Sequence, residues 1–263
     1  MKLKKRGRII LDSTKVKPYG TVLIKQKEIL DFLLSYEGAP TLADISKGLG
    51  RPKPTLLKIL NTMELIGFVR KNGDTKQYSL GISLIPYAQK AISSFDIVEA
   101  ASPYLRKLRD LTQETVNLGV IRDNKIVLIQ KLESPQSIKM QSQIGGTMRL
   151  YSSAMGKASL ATYSQSKLIH YFNNESFDAI TTQTITNPQI LTDELRIVQR
   201  DGYAVDDEEN ERDVFCIGAA LYKNGHLYGA FSISTPKYRL SDERKREFID
   251  LLKKTQLSIL ETI

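Results

Sequence analysis

The spacing of hydrophobic residues changes period along the chain, and each change marks a different element. Between residues 24 and 66 the apolar positions recur at helical intervals. Ile24, Ile29, Leu30, Leu33 and Leu34 form one stripe, Leu42, Ile45 and Leu49 a second, and Leu56, Leu57, Leu60, Met63 and Leu65 a third. Gly38 and Pro40 stop the first of these helices. Thr41, with Asp44 three positions on, predicts an N-cap and capping box for the second. Gly50 suits a left-handed C-cap, and Pro52 opens the third helix, where first-turn amides need no partner. The period then shortens. Residues 68–71 and 77–80 alternate like strands around Asn72-Gly73, a tight-turn signal. Helices, a tight turn and a hairpin in this order predict a winged helix-turn-helix.

Residues 83–113 read as a linking helix or helix pair, with Pro103 opening the second stretch. Alternation then predicts strands at 115–122 and 125–133 around Asp123-Asn124, and another at 138–144 ended by Gly145-Gly146. Helices follow at 155–163, 165–172 and 192–201. A strand is expected at 203–207, a hairpin over 216–222 and 227–234 around Lys223-Asn224-Gly225, and an amphipathic helix over 241–260. The mixed order predicts an α+β fold with an antiparallel sheet and flanking helices. The expected domains are a basic arm over 1–20, the winged helix over 21–82, a linker helix over 83–98 and a second domain over 99–263.

Charge sharpens this division. Residues 1–90 hold 17 Lys and Arg against 7 Asp and Glu, while 91–263 hold 21 against 22. The net charge of +9 thus lies wholly in the helix-turn-helix half, which is the footprint of a nucleic-acid module joined to a neutral domain. On the third helix Lys53, Thr55, Lys58 and Asn61 share the polar side, where they can reach base edges and phosphates. Thr41 and Arg51 flank the turn, and Arg70, Lys71 and Lys76 sit on or near the wing. A basic wing can straddle a groove, or it can keep an edge hairpin soluble. The arm either adds phosphate contacts or is a plain tail. The one cysteine, Cys216, fits a reducing compartment, and no apolar run approaches a membrane span, so a cytoplasmic protein is expected.

Catalysis finds little support. Gly156-Lys157 resembles a fragment of a phosphate loop, but the motif requires Gly where Tyr151 stands and Ser or Thr where Ala158 stands. Neither His170 nor His226 is linked by a motif to Cys216, and one cysteine with two scattered histidines makes a poor metal site. No enzyme activity, cofactor or metal is expected. The acidic run Asp206-Asp207-Glu208-Glu209 reads as a solvated turn, but it follows one strand and precedes another, so part of it can point inward, where a carboxylate beside Cys216, Ser232 and Ser234 would orient a small polar ligand.

These segments resemble the IclR family of bacterial transcription regulators over residues 22–260. In the first domain the resemblance rests on LADISKGLGRPKPTLLKILNTMELIGFVRK and QYSLG. In the second it rests on LYSSAMGKASLA, TITNPQILTDEL, RDGYAVDDEENERDVFCIGAAL and AFSISTPKYRLSD. It implies a DNA-binding regulator, with repression the expected sign, acting as a dimer or dimer of dimers on double-stranded operator DNA. It also implies a GAF-like C-terminal domain that binds a small organic-acid or sugar-acid effector. The effector residues carried over are Leu150, Ala154, Met155, Asp206, Cys216, Ser232 and Ser234. Two positions depart from the family pattern. Pro54 replaces a hydroxyl residue near the start of the DNA-reading helix, and Met155 is bulky where a small residue is usual. The rival classes are a structural DNA-binding protein without effector and an enzyme with a regulatory DNA-binding domain.

Overall fold

A computed structural model describes residues 19–93, 96–137 and 140–263. The basic arm therefore lies outside the described residues, apart from Tyr19 and Gly20. The chain divides into two compact units, one ending at Lys90 and the other running from Ala91 to Ile263.

The first unit contains α1 (Thr21–Ser35), α2 (Leu42–Leu49), α3 (Lys53–Leu65), β1 (Val69–Lys71), β2 (Tyr78–Leu80) and the start of α4 (Leu84–Ser93). Its core joins Ile29 and Leu33 of α1, Ile45 of α2, and Leu56, Ile59, Leu60 and Met63 of α3 to Val69 and Tyr78 of the hairpin. The expected Thr41–Asp44 capping box is present: Asp44 Oδ2 accepts from the Thr41 amide at 2.9 Å, and Thr41 Oγ1 accepts from the Asp44 amide. Such a cap contributes about 1 kcal/mol. The wing differs from expectation. Lys71 pairs with Tyr78, so six residues form the loop, and its left-handed residue is Lys76 rather than one in Asn72-Gly73. Asn72 Oδ1 accepts from the amides of Asp74 and Thr75, and this side-chain turn displaces the two-residue one.

The second unit contains α5 (Asp96–Thr112), β3 (Thr115–Arg122), β4 (Lys125–Leu132), β5 (Thr147–Arg149), α6 (Ala154–Leu160), α7 (Gln165–Asn174), α8 (Pro188–Asp201), β6 (Ala204–Asp207), β7 (Val214–Lys223), β8 (His226–Pro236) and α9 (Asp242–Thr262). The sheet order is β5-β4-β3-β8-β7-β6, with every neighbouring pair antiparallel. Asp123-Asn124 and Asn224-Gly225 form two-residue turns with both φ values positive, as their sequences predict.

Three expectations for this unit need correction. Pro103 lies inside α5, because it is on the exposed side where the freed carbonyl faces water, while Ala101 and Leu105 pack inward and hold the helix through it. The strand expected over 138–144 is absent from 140–144, and the edge strand forms at Thr147–Arg149; Ile138 and Lys139 lie outside the described residues. The helix expected from 192 starts four residues earlier, because Asn187 caps the amides of Gln189 and Ile190 and Pro188 fills the first turn.

Strand alternation gives the sheet two unlike faces. Val116, Leu118, Phe215, Ile217, Phe231 and Ile233 face α5 and α9 in one core. The other face carries Ile126, Leu128 and Ala230 toward Leu150, Met155, Leu160, Leu191 and Leu195. Thr115, Asn117, Asp206, Cys216, Ser232 and Ser234 also alternate onto this second face.

Candidate functional site

In the first unit the reading surface is built on α3. Leu56, Ile59, Leu60 and Met63 are buried, which leaves Lys53, Pro54, Lys58 and Asn61 exposed and Thr55 half-buried. Pro54 costs the helix nothing at this position, because first-turn amides have no intrahelical acceptor. Among the described residues, Lys53, Lys58, Asn61 and Arg70 make no side-chain hydrogen bond or ion pair. Lys71 lies 5.5 Å from the centre of the Tyr78 ring, and Lys76 donates to the Gly73 carbonyl. Two residues of the expected set have other employment. The Thr41 hydroxyl is held by Asp44, whose carboxyl lies below its usual range because of that bond. Arg51 grips Glu28 with two hydrogen bonds, of 2.6 and 2.8 Å, which tie the turn after α2 back to α1.

The second candidate site lies where α6 meets the sheet. A Cβ on Gly218 would stand 2.9 Å from both Ala154 C and Met155 N, so the bare glycine lets the first turn of α6 approach the β7 backbone. The side chains of Leu150, Ala154 and Met155 are buried. Met155 packs in the apolar cluster, and a Cβ on Gly119 would stand 3.7 Å from its sulfur. The space left by that glycine is taken by Ile126, whose Cγ2 would stand 2.5 Å from such a Cβ, while Met155 would keep ordinary contact with it.

Beside α6 runs a row of polar residues. Register places Asp206 opposite Cys216, Cys216 opposite Ser234, and Ser232 between Gly218 and Asn117. Cys216 donates to Ser234 Oγ at 3.2 Å, Asn117 Nδ2 donates to the same oxygen at 3.1 Å, and Ser142 donates to Asn117 Oδ1 at 3.4 Å. Asp206 Oδ1 accepts from the amides of Glu209 and Asn210 at 2.8 and 3.1 Å. Burial nonetheless pushes the Asp206 carboxyl up to about 7, with the Glu209 charge adding to it. Burial also raises the Cys216 thiol, followed by the Asp206 charge, so the sulfur stays protonated and is a poor nucleophile at neutral pH. Lys157 of α6, 1% exposed, is paired with Glu209 and lies 3.5 Å from Glu194. This inward ion pair gives the Gly-Lys dipeptide a structural use.

The carried-over residues Ala154, Met155, Asp206, Cys216, Ser232 and Ser234 therefore come together around one sheet face, with Leu150 beneath α6. Asn117, Ser142, Lys157 and Glu209 were missed. For Asn117 a signal existed: an amide at an inward position of an otherwise apolar strand is costly unless it is bonded.

Comparisons with known proteins identify the family. The description "IclR helix-turn-helix domain" matches residues 25–73, and "Bacterial transcriptional regulator IclR C-terminal" matches residues 89–260. The chain belongs to the IclR family of DNA-binding transcriptional regulators, with the family's N-terminal helix-turn-helix and its C-terminal domain, and its curated relatives are transcriptional regulators rather than enzymes. The HTH-type transcriptional regulator KdgR of Escherichia coli is 32% identical over 212 residues, covering 80% of this chain and 81% of that one. The transcriptional repressor IclR of E. coli is 28% identical over 229 residues, covering 86% and 84%. The crystal structure of Thermotoga maritima IclR is 33% identical with a TM-score of 0.78, covering 92% of this chain and 98% of that one. An IclR homologue from Microbacterium hydrocarbonoxydans, solved in complex with 4-hydroxybenzoate, shares the fold at 18% identity and a TM-score of 0.79. No helix among the described residues is long and apolar enough to cross a membrane.

Proposed function

We propose that the chain is a cytoplasmic repressor, acting as a dimer or dimer of dimers, that releases a palindromic operator when a small organic or sugar acid enters the second domain. The observation that carries this reading is the pairing of two sites in one chain. One is a basic surface on α3 and the wing, where Lys53, Lys58 and Arg70 have no side-chain partner among the described residues. The other is the polar row of buried Asp206, Ser232 and Ser234 with half-buried Cys216, set against the first turn of α6. The names of relatives support repression, since several are called repressors.

In this reading Lys53, Pro54, Thr55, Lys58 and Asn61 meet the major groove, and Arg70, Lys71 and Lys76 meet flanking phosphates. Thr41 and Arg51 hold the reading helix in place. The amides of Ala154 and Met155 lack intrahelical acceptors and face the acid together with the two serines, while Leu150 forms apolar wall. Effector binding biases the placement of two reading helices, and half-site spacing of about one helical turn makes affinity sensitive to that placement.

The test is fluorescence anisotropy on duplex DNA from upstream of the chain's own gene, with and without a panel of small carboxylic acids, beside sedimentation of the free protein. The reading predicts tight, salt-sensitive binding weakened by at least one acid, and an even-numbered oligomer. Binding that ignores every acid would favour a structural DNA-binding protein.

A further inference from the structure

The hydrogen bonds around Ser234 constrain the chemistry of what can sit beside it. A serine hydroxyl has two acceptor lone pairs and one proton to donate. Ser234 Oγ receives Asn117 Nδ2–H at 3.1 Å from β3 and the Cys216 thiol at 3.2 Å from β7. Both lone pairs are then occupied, and the hydroxyl proton is the only valence left. Asn117 is 3% exposed and Ser234 5%, so water does not scramble this pattern. The Asn117 amide is itself held, because its Oδ1 accepts from Ser142. Asparagine is a poor strand former, and burying its amide needs compensation, so packing alone does not account for it at this place.

We infer that Asn117 is a specificity-determining positioning residue: by donating to Ser234 it makes that hydroxyl an obligate donor, and so selects an acceptor, excluding an amine and favouring the carboxylate end of an acid over an amide, whose neutral carbonyl accepts a weaker bond. This rests on the effector reading above and deepens it. Cys216, protonated because burial raises its thiol, keeps the second lone pair occupied. A group that turns an N–H toward this hydroxyl leaves two donors facing each other, and an amide that turns its carbonyl instead gains less than the ionised acid does.

The test uses the full chain and matched pairs of probes: pyruvate and pyruvamide, gluconate and gluconamide, 4-hydroxybenzoate and 4-hydroxybenzamide. Binding is read as the concentration that raises the melting temperature. In the wild type at least one acid acts at about ten-fold lower concentration than its amide. In Asn117→Asp the new carboxylate captures the Ser234 proton, so the acid weakens about ten-fold while the amide holds or improves. In Asn117→Ala the preference falls toward parity. Equal weakening of acid and amide, or an unchanged preference in both variants, overturns the inference and leaves the effector reading intact. If no probe binds the wild type, the effector reading fails and the inference goes with it.

A measurement without ligand tests the underlying bond. Cys216 is the only cysteine, so one infrared S–H stretching band reports on it. That band should lie below the frequency of a free thiol, rise in Ser234→Ala and stay put in Asn117→Asp. A band indifferent to Ser234→Ala would mean the serine donates to sulfur, and the inference would be wrong.

Discussion

The ammonium of Lys157 lies against the carboxylate of Glu209, and only 1% and 8% of the two side chains reach water. Glu209 also anchors its surroundings: its carbonyl accepts from the hydroxyls of Thr181 and Thr184, and its amide donates to Asp206. Removing one partner of such a pair strands a buried charge. Lys157→Met should therefore cost about 3–5 kcal/mol in urea unfolding. The double variant Lys157→Met, Glu209→Gln should recover much of that loss. A single variant within about 0.5 kcal/mol of wild type would show that the pair contributes little.

Asp206 gives the protein a signed pH dependence. Its folded value of about 7 lies above the ordinary aspartate value of 3.8, so the folded state holds its proton more tightly. The stability that this provides is fully present below about pH 4 and is lost as pH rises through 7. Asp206→Asn keeps an acceptor for the amides of Glu209 and Asn210 but removes the titration. Its stability relative to wild type should climb between pH 5 and 8, by on the order of 2 kcal/mol. A difference that is flat across this range would remove Asp206 as the titrating group.

Lys53 and Lys58 project from the exposed side of α3 without partners among the described residues. If each meets a phosphate, Lys53→Ala and Lys58→Ala should each lower the slope of log affinity against log salt by about 1. Melting temperatures should barely change, since both side chains are solvated. An unchanged slope in either variant would remove that lysine from the phosphate contacts.

Arg51 should behave differently from its basic neighbours. Its guanidinium is committed to Glu28, whose carboxyl it holds below the usual range, and both side chains are about one-third exposed. Arg51→Ala should cost roughly 0.5–1 kcal/mol of stability, with a smaller change in salt slope than Lys53→Ala. Glu28→Gln should lower stability similarly and, by freeing Arg51, leave DNA affinity equal or higher. A full unit of slope lost in Arg51→Ala would restore it as a direct phosphate contact.

Much of this was legible before any coordinates. The three helices, the Thr41–Asp44 box, the Gly50 cap and the Asp123-Asn124 and Asn224-Gly225 turns are decided within a few residues and form as expected, although Leu34, Leu57 and Leu65 of the apolar stripes are exposed and Ile59, outside them, is in the core. Errors arose where a local signal had a competitor. Asn72-Gly73 does mark a turn, but the Asn72 side chain closes it by accepting from two amides downstream, and the loop runs one residue longer than the strands expected at 68–71 and 77–80 imply. Pro103 looked like a helix start, but inward packing on both sides carried α5 through it.

By itself, the sequence determined the type and order of the elements and placed the whole net positive charge in the first 90 residues. Periodicity, capping and charge act at short range, so no fold is needed to read them. Tertiary structure alone decided who meets whom. β3 pairs with β8 and β7 pairs with β6, which brings Asn117, Ser234, Cys216 and Asp206 into one polar row from places up to 117 residues apart. The same holds for Arg51 with Glu28, 23 residues away, and for Lys157 with Glu209, 52 residues away. Such pairings depend on strand order and register, which follow from burying one whole face of each strand at once. No local pattern around any one of these residues contains that information.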